Sequence, residues 1–260
     1  MTNVTHTRMS LPRLGGPRRD AKRRPHLTGS GFARFSFAVG WVMLLCIASA
    51  QIAAAADVPR GVGAFLIGNR ITAWRELLPA ANAGDAEAQF YVGTMYRHGF
   101  GTETDNDEGL FWLTKAAGQG HVRAQFVLGF EAIQDGRPAA GAPNIVAAAK
   151  AGFAAAQYHA GVLFRDGAGV PQNNLSALGW FLQAAEQDYL AAQYAAALLL
   201  ANPPAGIRRD IPAAYRWFDI AARRGYPAAA ASRDSVGAVM TRQEIESAQA
   251  AADTWTKQRR

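Results

Sequence analysis

Cysteine is almost missing from this chain. Its one thiol, Cys46, lies inside an apolar run, so nothing beyond it can form a disulfide or a cysteine-ligated metal centre. Histidine is also scarce: past the N-terminal region only His98, His121 and His159 occur, with no H-x-x-x-H pair among them. The fingerprints G-x-S-x-G, S-x-x-K, the phosphate-binding Walker loop and the dinucleotide glycine pattern do not occur. The sequence therefore assigns no catalytic residue, no cofactor and no metal ligand.

An excess of charge is missing too, once the N-terminus is set aside. Residues 1–34 carry eight basic groups against Asp20 alone, which accounts for the net charge of +7. The remainder is balanced, and a balanced, interspersed surface has no electrostatic footprint for a polyanion. Nucleic acid is excluded as a partner despite the high pI.

What the N-terminus has is a targeting layout. Residues 1–34 are rich in Arg, Pro and Gly without apolar periodicity and are predicted disordered. Residues 35–56 are uncharged, most apolar over Val39–Ile47, and end in Ala48-Ser49-Ala50 and Ala54-Ala55-Ala56. A basic stretch, an apolar run and small exit residues make a secretory signal peptide. The same run also has the length of a single membrane anchor. Cleavage is the preferred reading because the Ala-rich half is weakly apolar. Leu45 before Cys46 argues against a lipid-attachment site, and Asp20 and Pro25 interrupt the Arg18-Arg19 and Arg23-Arg24 pairs that a twin-arginine signal would extend into apolar residues. Residues 57–260 are expected to be periplasmic or secreted, or to face the periplasm from an inner-membrane anchor.

Beyond Asp57 the chain repeats. Ala88-Gln89, Ala124-Gln125, Ala156-Gln157 and Ala192-Gln193 recur at steps of 36, 32 and 36 residues. Five residues after each of these alanines stands Gly93, Gly129, Gly161 or Ala197, and one after each glutamine an aromatic, Phe90, Phe126, Tyr158 or Tyr194. Four before each alanine lies a helix stop, Gly84, Gly120, Gly152 or Asp188, itself preceded by Ala80-Ala81, Ala116-Ala117, Ala148-Ala149 or Ala184-Ala185. A period of this length predicts an all-α solenoid of helix pairs, each burying an apolar face against the next.

Within a unit, a capping Asp or Asn precedes a Trp by seven residues: Asp105 and Trp112, Asn173 and Trp180, Asp210 and Trp217. The tryptophans are read as core. The acidic cluster Glu103, Asp105, Asp107, Glu108 is read as a cap and a favourable dipole partner rather than a calcium loop. Gly99-Phe100-Gly101 follows a helix and is read as its stop, not a phosphate cradle. Ile71, Trp74, Leu77 and Leu78 are expected to form one buried stripe, with a bend at Pro79. The third unit is four residues short and has Asn144 where a Trp is expected; Pro138 and Pro143 predict a shortened second helix over Ile145–Lys150. The helix Leu190–Ala201 is apolar nearly all round and calls for cover from the C-terminal helix or a partner. A helix near Pro227–Val239 and a closing helix opened by the capping box Thr241 and Glu244 are expected to end the stack.

The Ala-Gln columns, the Gly five residues on, the aromatics Tyr96 and Phe164, the turns Gly99-Phe100-Gly101 and Gly167-Ala168-Gly169 before Val170-Pro171, and the Asp/Asn to Trp to Ala-Ala-x-x-Gly run together resemble the Sel-one-like repeat (SLR), a relative of the tetratricopeptide repeat. The resemblance covers residues 58–257 and implies a right-handed α-solenoid of about five to six antiparallel helix pairs with a concave face. It implies a non-enzymatic adaptor or regulator of the cell envelope. One branch of that family with penicillin-binding and lactamase-like activity is stapled by disulfides, and this chain lacks those cysteines. A cell-wall or lactam hydrolase, and a membrane-anchored scaffold for polysaccharide secretion, are the rival readings.

The candidate partner-binding face consists of positions two, five and nine residues after each glutamine: Tyr91, Thr94, His98; Val127, Phe130, Gln134; His159, Val162, Asp166; Ala195, Leu198, Asn202. Their identities vary while the repeat columns do not. A protein or peptide is the expected partner, with Tyr91 and Phe130 as its main contacts.

Overall fold

The computed structural model describes residues 57–259, and the N-terminal basic and signal or anchor segments lie outside these residues. Twelve α-helices and no strand are found among the described residues. The first hairpin is α1 (Val58–Leu66) and α2 (Arg70–Asn82). Then follow α3 (Ala86–His98) with α4 (Asn106–Gly118), α5 (Val122–Gln134) with α6 (Pro138–Lys150), α7 (Ala154–Asp166) with α8 (Asn174–Glu186), and α9 (Leu190–Ala201) with α10 (Ile211–Arg223). A short α11 (Ala229–Gly237) and the long α12 (Arg242–Lys257) close the chain. From α1 to α11 each helix packs against the next, and α12 packs on α10, the α-solenoid of helix pairs that the period predicts.

The repeated letters each have a physical task. In three first helices the glycine column lets the hairpin close: a Cβ at Gly93 would lie 2.9 Å from the Gly109 carbonyl, and one at Gly161 would lie 2.5 Å from the Phe181 ring. The helix stops Gly84, Gly120 and Gly152 have φ of +104°, +83° and +90°. Asp188 takes the same left-handed turn at φ +69°, a conformation Asp tolerates better than most residues. The glutamines tie each first helix to the second helix before it. Nε2 of Gln89, Gln125, Gln157 and Gln193 donates to the carbonyl of Ala81, Ala117, Ala149 and Ala185, at 3.1 to 3.4 Å. Those carbonyls belong to the last turn of a helix, where each also accepts from the amide of the helix stop three residues on.

Side chains cap the second helices as expected. Asp105 accepts from the Asp107 and Glu108 amides, Asn173 from Ser176 and Asp210 from Ala213. Trp112 and Trp217 are buried, but Trp180 is only half-buried. The deeper column is one residue later, where Leu77, Leu113, Ile145, Phe181 and Phe218 are each at most 1% exposed.

Three expectations change. Ile71 is 80% exposed and leaves the stripe; α2 buries Ala73, Leu77, Ala80 and Ala81 instead, and it runs on through Pro79 to Asn82. The second helix of the third unit is not shortened: α6 starts at Pro138 and has the same 13 residues as its counterparts. Pro138 occupies a first-turn position that needs no amide donor, and Pro143 forgoes one bond while Ala142, Ile145, Ala148 and Ala149 are buried along the same helix. Its joint lacks a side-chain cap, since Arg137 stands at the N-cap position without such a bond. The penultimate helix is also shorter than expected, Ala229–Gly237. The capping box at Thr241 and Glu244 forms, and Ala248, Ala252 and Trp255 of α12 are buried.

Candidate functional site

The proposed face divides by row. The row two residues after each glutamine turns toward the neighbouring hairpin. Tyr91 is 4% exposed; its ring meets Phe65 of α1 edge-on at 5.0 Å, and its hydroxyl accepts from Arg123 Nη1 at 3.1 Å. It is a core residue that joins three first helices, not a surface contact. Val127 and Ala195 are half-buried and pack within the core clusters. His159 is half-buried against Phe130 at 4.9 Å and Phe126 at 5.7 Å, and burial pushes its imidazole pKa below the ordinary histidine value.

The rows five and nine residues after the glutamine stay accessible. Thr94, Phe130 and Val162 are half-buried, and Leu198 is 40% exposed. His98, Gln134, Asp166 and Asn202 are exposed. The Thr94 hydroxyl is spent within its own helix, donating to the Phe90 carbonyl. Arg165 holds the Asp166 carboxyl below the usual carboxylate range through a forked pair.

Charge and apolarity separate along this face. Between α3 and α5, Glu87 pairs with Arg123 and with His121, and Arg97 pairs with Glu131. Arg123 also lies over the rings of Phe90 and Tyr91, at 4.9 and 5.3 Å. His121 Nδ1 accepts from the Ala124 amide, so the proton sits on Nε2, which donates to Glu87 at 2.8 Å. At the other end, between α9 and α11, a cleft of about 280 Å³ has no charged lining: Leu198, Asn202, Phe218, Ala231, Ser232 and Val236 are among its walls. α11 thus flanks α9, with Tyr194 and Ser232 hydroxyls 3.3 Å apart, and leaves Leu198 uncovered.

Two sets of contacts escaped the sequence reading. The aromatic after each glutamine packs on a ring one hairpin further on: Phe90, Phe126 and Tyr158 on His121, Phe153 and Tyr189, which stand at the N-cap positions of the next first helices, and Tyr194 on Tyr226, just before α11, at ring distances of 4.7 to 5.2 Å. The second set is the ion pairs, whose signal was opposite charges one period apart, as in Glu87 and Arg123. Among the described residues no group of three or more His, Cys, Asp or Glu is arranged to hold a metal, and no helix is long and apolar enough to cross a membrane.

The Sel1 repeat family model matches residues 86–121, 154–189 and 190–226, which are the hairpins α3–α4, α7–α8 and α9–α10. Chitin synthase regulatory factor 3 of Schizosaccharomyces pombe is 33% identical over 120 residues, covering 42% of this chain and 13% of that protein. The chain thus spans about an eighth of the length of this curated relative. The crystal structure of c5321, a protective antigen of uropathogenic Escherichia coli with an SLR fold, superposes with a TM-score of 0.65 at 23% identity, over 81% of this chain and 48% of that one. A Sel1 repeat protein from Oxalobacter formigenes gives a TM-score of 0.60 at 25% identity, over 65% of this chain and 71% of that one. With its helix pairs, its repeat columns and these matches in agreement, the chain is a Sel1-repeat protein with an SLR-like fold.

Proposed function

We propose that this Sel1-repeat protein is a non-enzymatic adaptor or regulator of the bacterial cell envelope that binds a protein or peptide along its first-helix face. The observation that carries this reading is the division of that face. Positions that build the repeat are buried, while Phe130, Val162 and Leu198 remain accessible in one row whose identities change from hairpin to hairpin. A row of variable side chains on a rigid frame is suited to recognition rather than to turnover. The uncharged cleft beside Leu198 favours an apolar side chain of the partner, and the charged α3–α5 end favours polar contacts. The regulatory role named for the chitin synthase relative supports a regulator over a passive scaffold.

Export rests on the basic, apolar and small-residue layout of residues 1–56. The test is affinity recovery of envelope proteins on wild-type protein and on a Phe130→Ala, Leu198→Asp double variant of unchanged thermal stability. A partner lost with the double variant supports the reading; identical recovery refutes it. Intact-mass measurement of the native N-terminus distinguishes a cleaved form from an anchored one.

A further inference from the structure

A stack of hairpins has two open ends, and an end that meets water needs a polar outer surface. The C-terminal end has one: α12 buries Ala248, Ala252 and Trp255 and leaves Arg242, Glu246, Asp253 and Lys257 exposed.

The N-terminal end does the opposite. No helix precedes α1 among the described residues, and the turn between α1 and α2 carries Leu66, Ile67 and Ile71, which are 71, 82 and 80% exposed. Single exposed aliphatics are normal on a surface, but these three share one turn and form a patch. Gly68, at φ +81°, and the Asn69 side chain, which accepts from the Thr72 amide, shape that turn. With so much of each side chain exposed, the patch is a convex knob rather than a groove. Arginines border it: Arg70 precedes Ile71, Arg75 follows Ile71 by one helical turn, and Arg60 lies two turns before Ile67. All three are exposed, and the carboxylates near them are Asp57, which caps α1, and the buried Glu76, which lies 3.9 Å from Arg60 and 3.0 Å from Arg75. The patch therefore has a net positive border.

We propose that this end of the solenoid is a membrane-binding surface, with Leu66, Ile67 and Ile71 inserted among lipid chains and the arginines on anionic headgroups. Aliphatic side chains bordered by arginine are what an interfacial segment presents to a bilayer. A convex knob suits a deformable apolar phase, whereas a protein partner would need a matching pocket. The uncharged run of residues 35–56 directly precedes Asp57, and the nine residues of α1 add about 14 Å before the knob. A bilayer that holds that run is within reach of the knob. This surface is separate from the first-helix face and does not depend on a partner binding there.

The test places a nitroxide label at Ile67→Cys in the full chain with Cys46→Ser and adds vesicles of phosphatidylethanolamine and phosphatidylglycerol. Relaxation by oxygen reports lipid around the label, and relaxation by a soluble nickel complex reports water. Vesicles are expected to abolish nickel access at Ile67→Cys and to raise oxygen access. A label at Val239→Cys, in place of a comparably exposed aliphatic near the C-terminus, is expected to stay open to nickel. Adding Leu66→Ser and Ile71→Ser, exposed substitutions that leave the melting temperature unchanged, is expected to return the Ile67→Cys label to water even when residues 35–56 keep the chain on the vesicle. Nickel access that vesicles do not alter overturns the proposal, and so does protection that survives the two serines. Protection already present without vesicles overturns it as well: where it grows with protein concentration a second copy covers the knob, and where it does not the chain's own N-terminal run does.

Discussion

The glutamine column shows how a single side chain can join helices that no backbone bond connects. Gln89, Gln157 and Gln193 are buried, and each donates to an alanine carbonyl eight residues back. Gln157 also accepts from Gln187 Nε2 at 2.7 Å, so its removal takes away a bond at each end of the buried amide. Gln157→Leu is expected to lower stability by about 1–3 kcal/mol, read by urea denaturation. Gln125→Leu is expected to cost less, because Gln125 is half-buried and water can reach its Ala117 partner. His159 sets a pH dependence with a definite sign. Its folded pKa lies below the unfolded value of 6.5, so the folded state binds fewer protons in that range. Stability is therefore full at neutral pH and falls as pH drops below about 6.5 toward the folded pKa. A His159→Phe variant should lose that part of the acid slope, which thermal melts between neutral and mildly acidic pH would measure. The letters of these columns were visible in the sequence, but half of each interaction was not. The glutamine's acceptor is a main-chain carbonyl and has no letter of its own. Tyr91 failed as a surface residue for a related reason: spacing defines a stripe on one helix but not which edge of it the preceding hairpin covers.

At the scale of the element, α6 keeps its full length although its unit is four residues short, but it starts without a side-chain cap. Its N-cap position is Arg137 without a side-chain bond, whereas α4, α8 and α10 are capped by Asp105, Asn173 and Asp210. Arg137→Asp is expected to stabilise the protein by about 0.5–2 kcal/mol, the usual worth of a cap, by a rise in melting temperature. Hydrogen exchange should accordingly be slower in α6 of this variant, with α3 and α4 unchanged. Two prolines imply a shortened helix only when propensity alone is weighed. Pro138 is at a position that favours proline, and the cost of Pro143 is outweighed by the apolar burial of Ile145 and its neighbours, a tertiary effect that no local rule contains. The Ile71 error is similar: helical spacing put it in line with Trp74, yet the buried face of α2 is centred on Ala73, Leu77, Ala80 and Ala81, and Ile71 lies off that face.

For the whole molecule, the end of the stack is the place where the repeat logic must stop, since α10 has no following hairpin to bury its apolar side. α12 supplies that cover through Trp255, whose ring meets Trp217 edge-on at 5.5 Å and whose Nε1 donates to Glu186 at 2.7 Å. Arg259 lies over the Trp255 ring and donates to the Glu186 carbonyl, which fastens the last residues to the end of α8. The periodic core was therefore readable from the columns, whereas this closure was only half readable: the closing helix and its capping box were visible, but the Trp217 and Glu186 partners of Trp255 were not. Trp255→Ala removes a large buried ring and is expected to cost about 3–5 kcal/mol. Because hairpins in a solenoid touch only their neighbours, that loss should not be shared evenly. Hydrogen exchange on the variant should show α10, α11 and α12 opening well before global unfolding, with the protection of α3 and α4 near the wild-type level. Equal loss of protection from α3 to α12 would instead mean that the stack unfolds as one cooperative body, and that the closing helix stabilises all of it rather than the hairpins it touches.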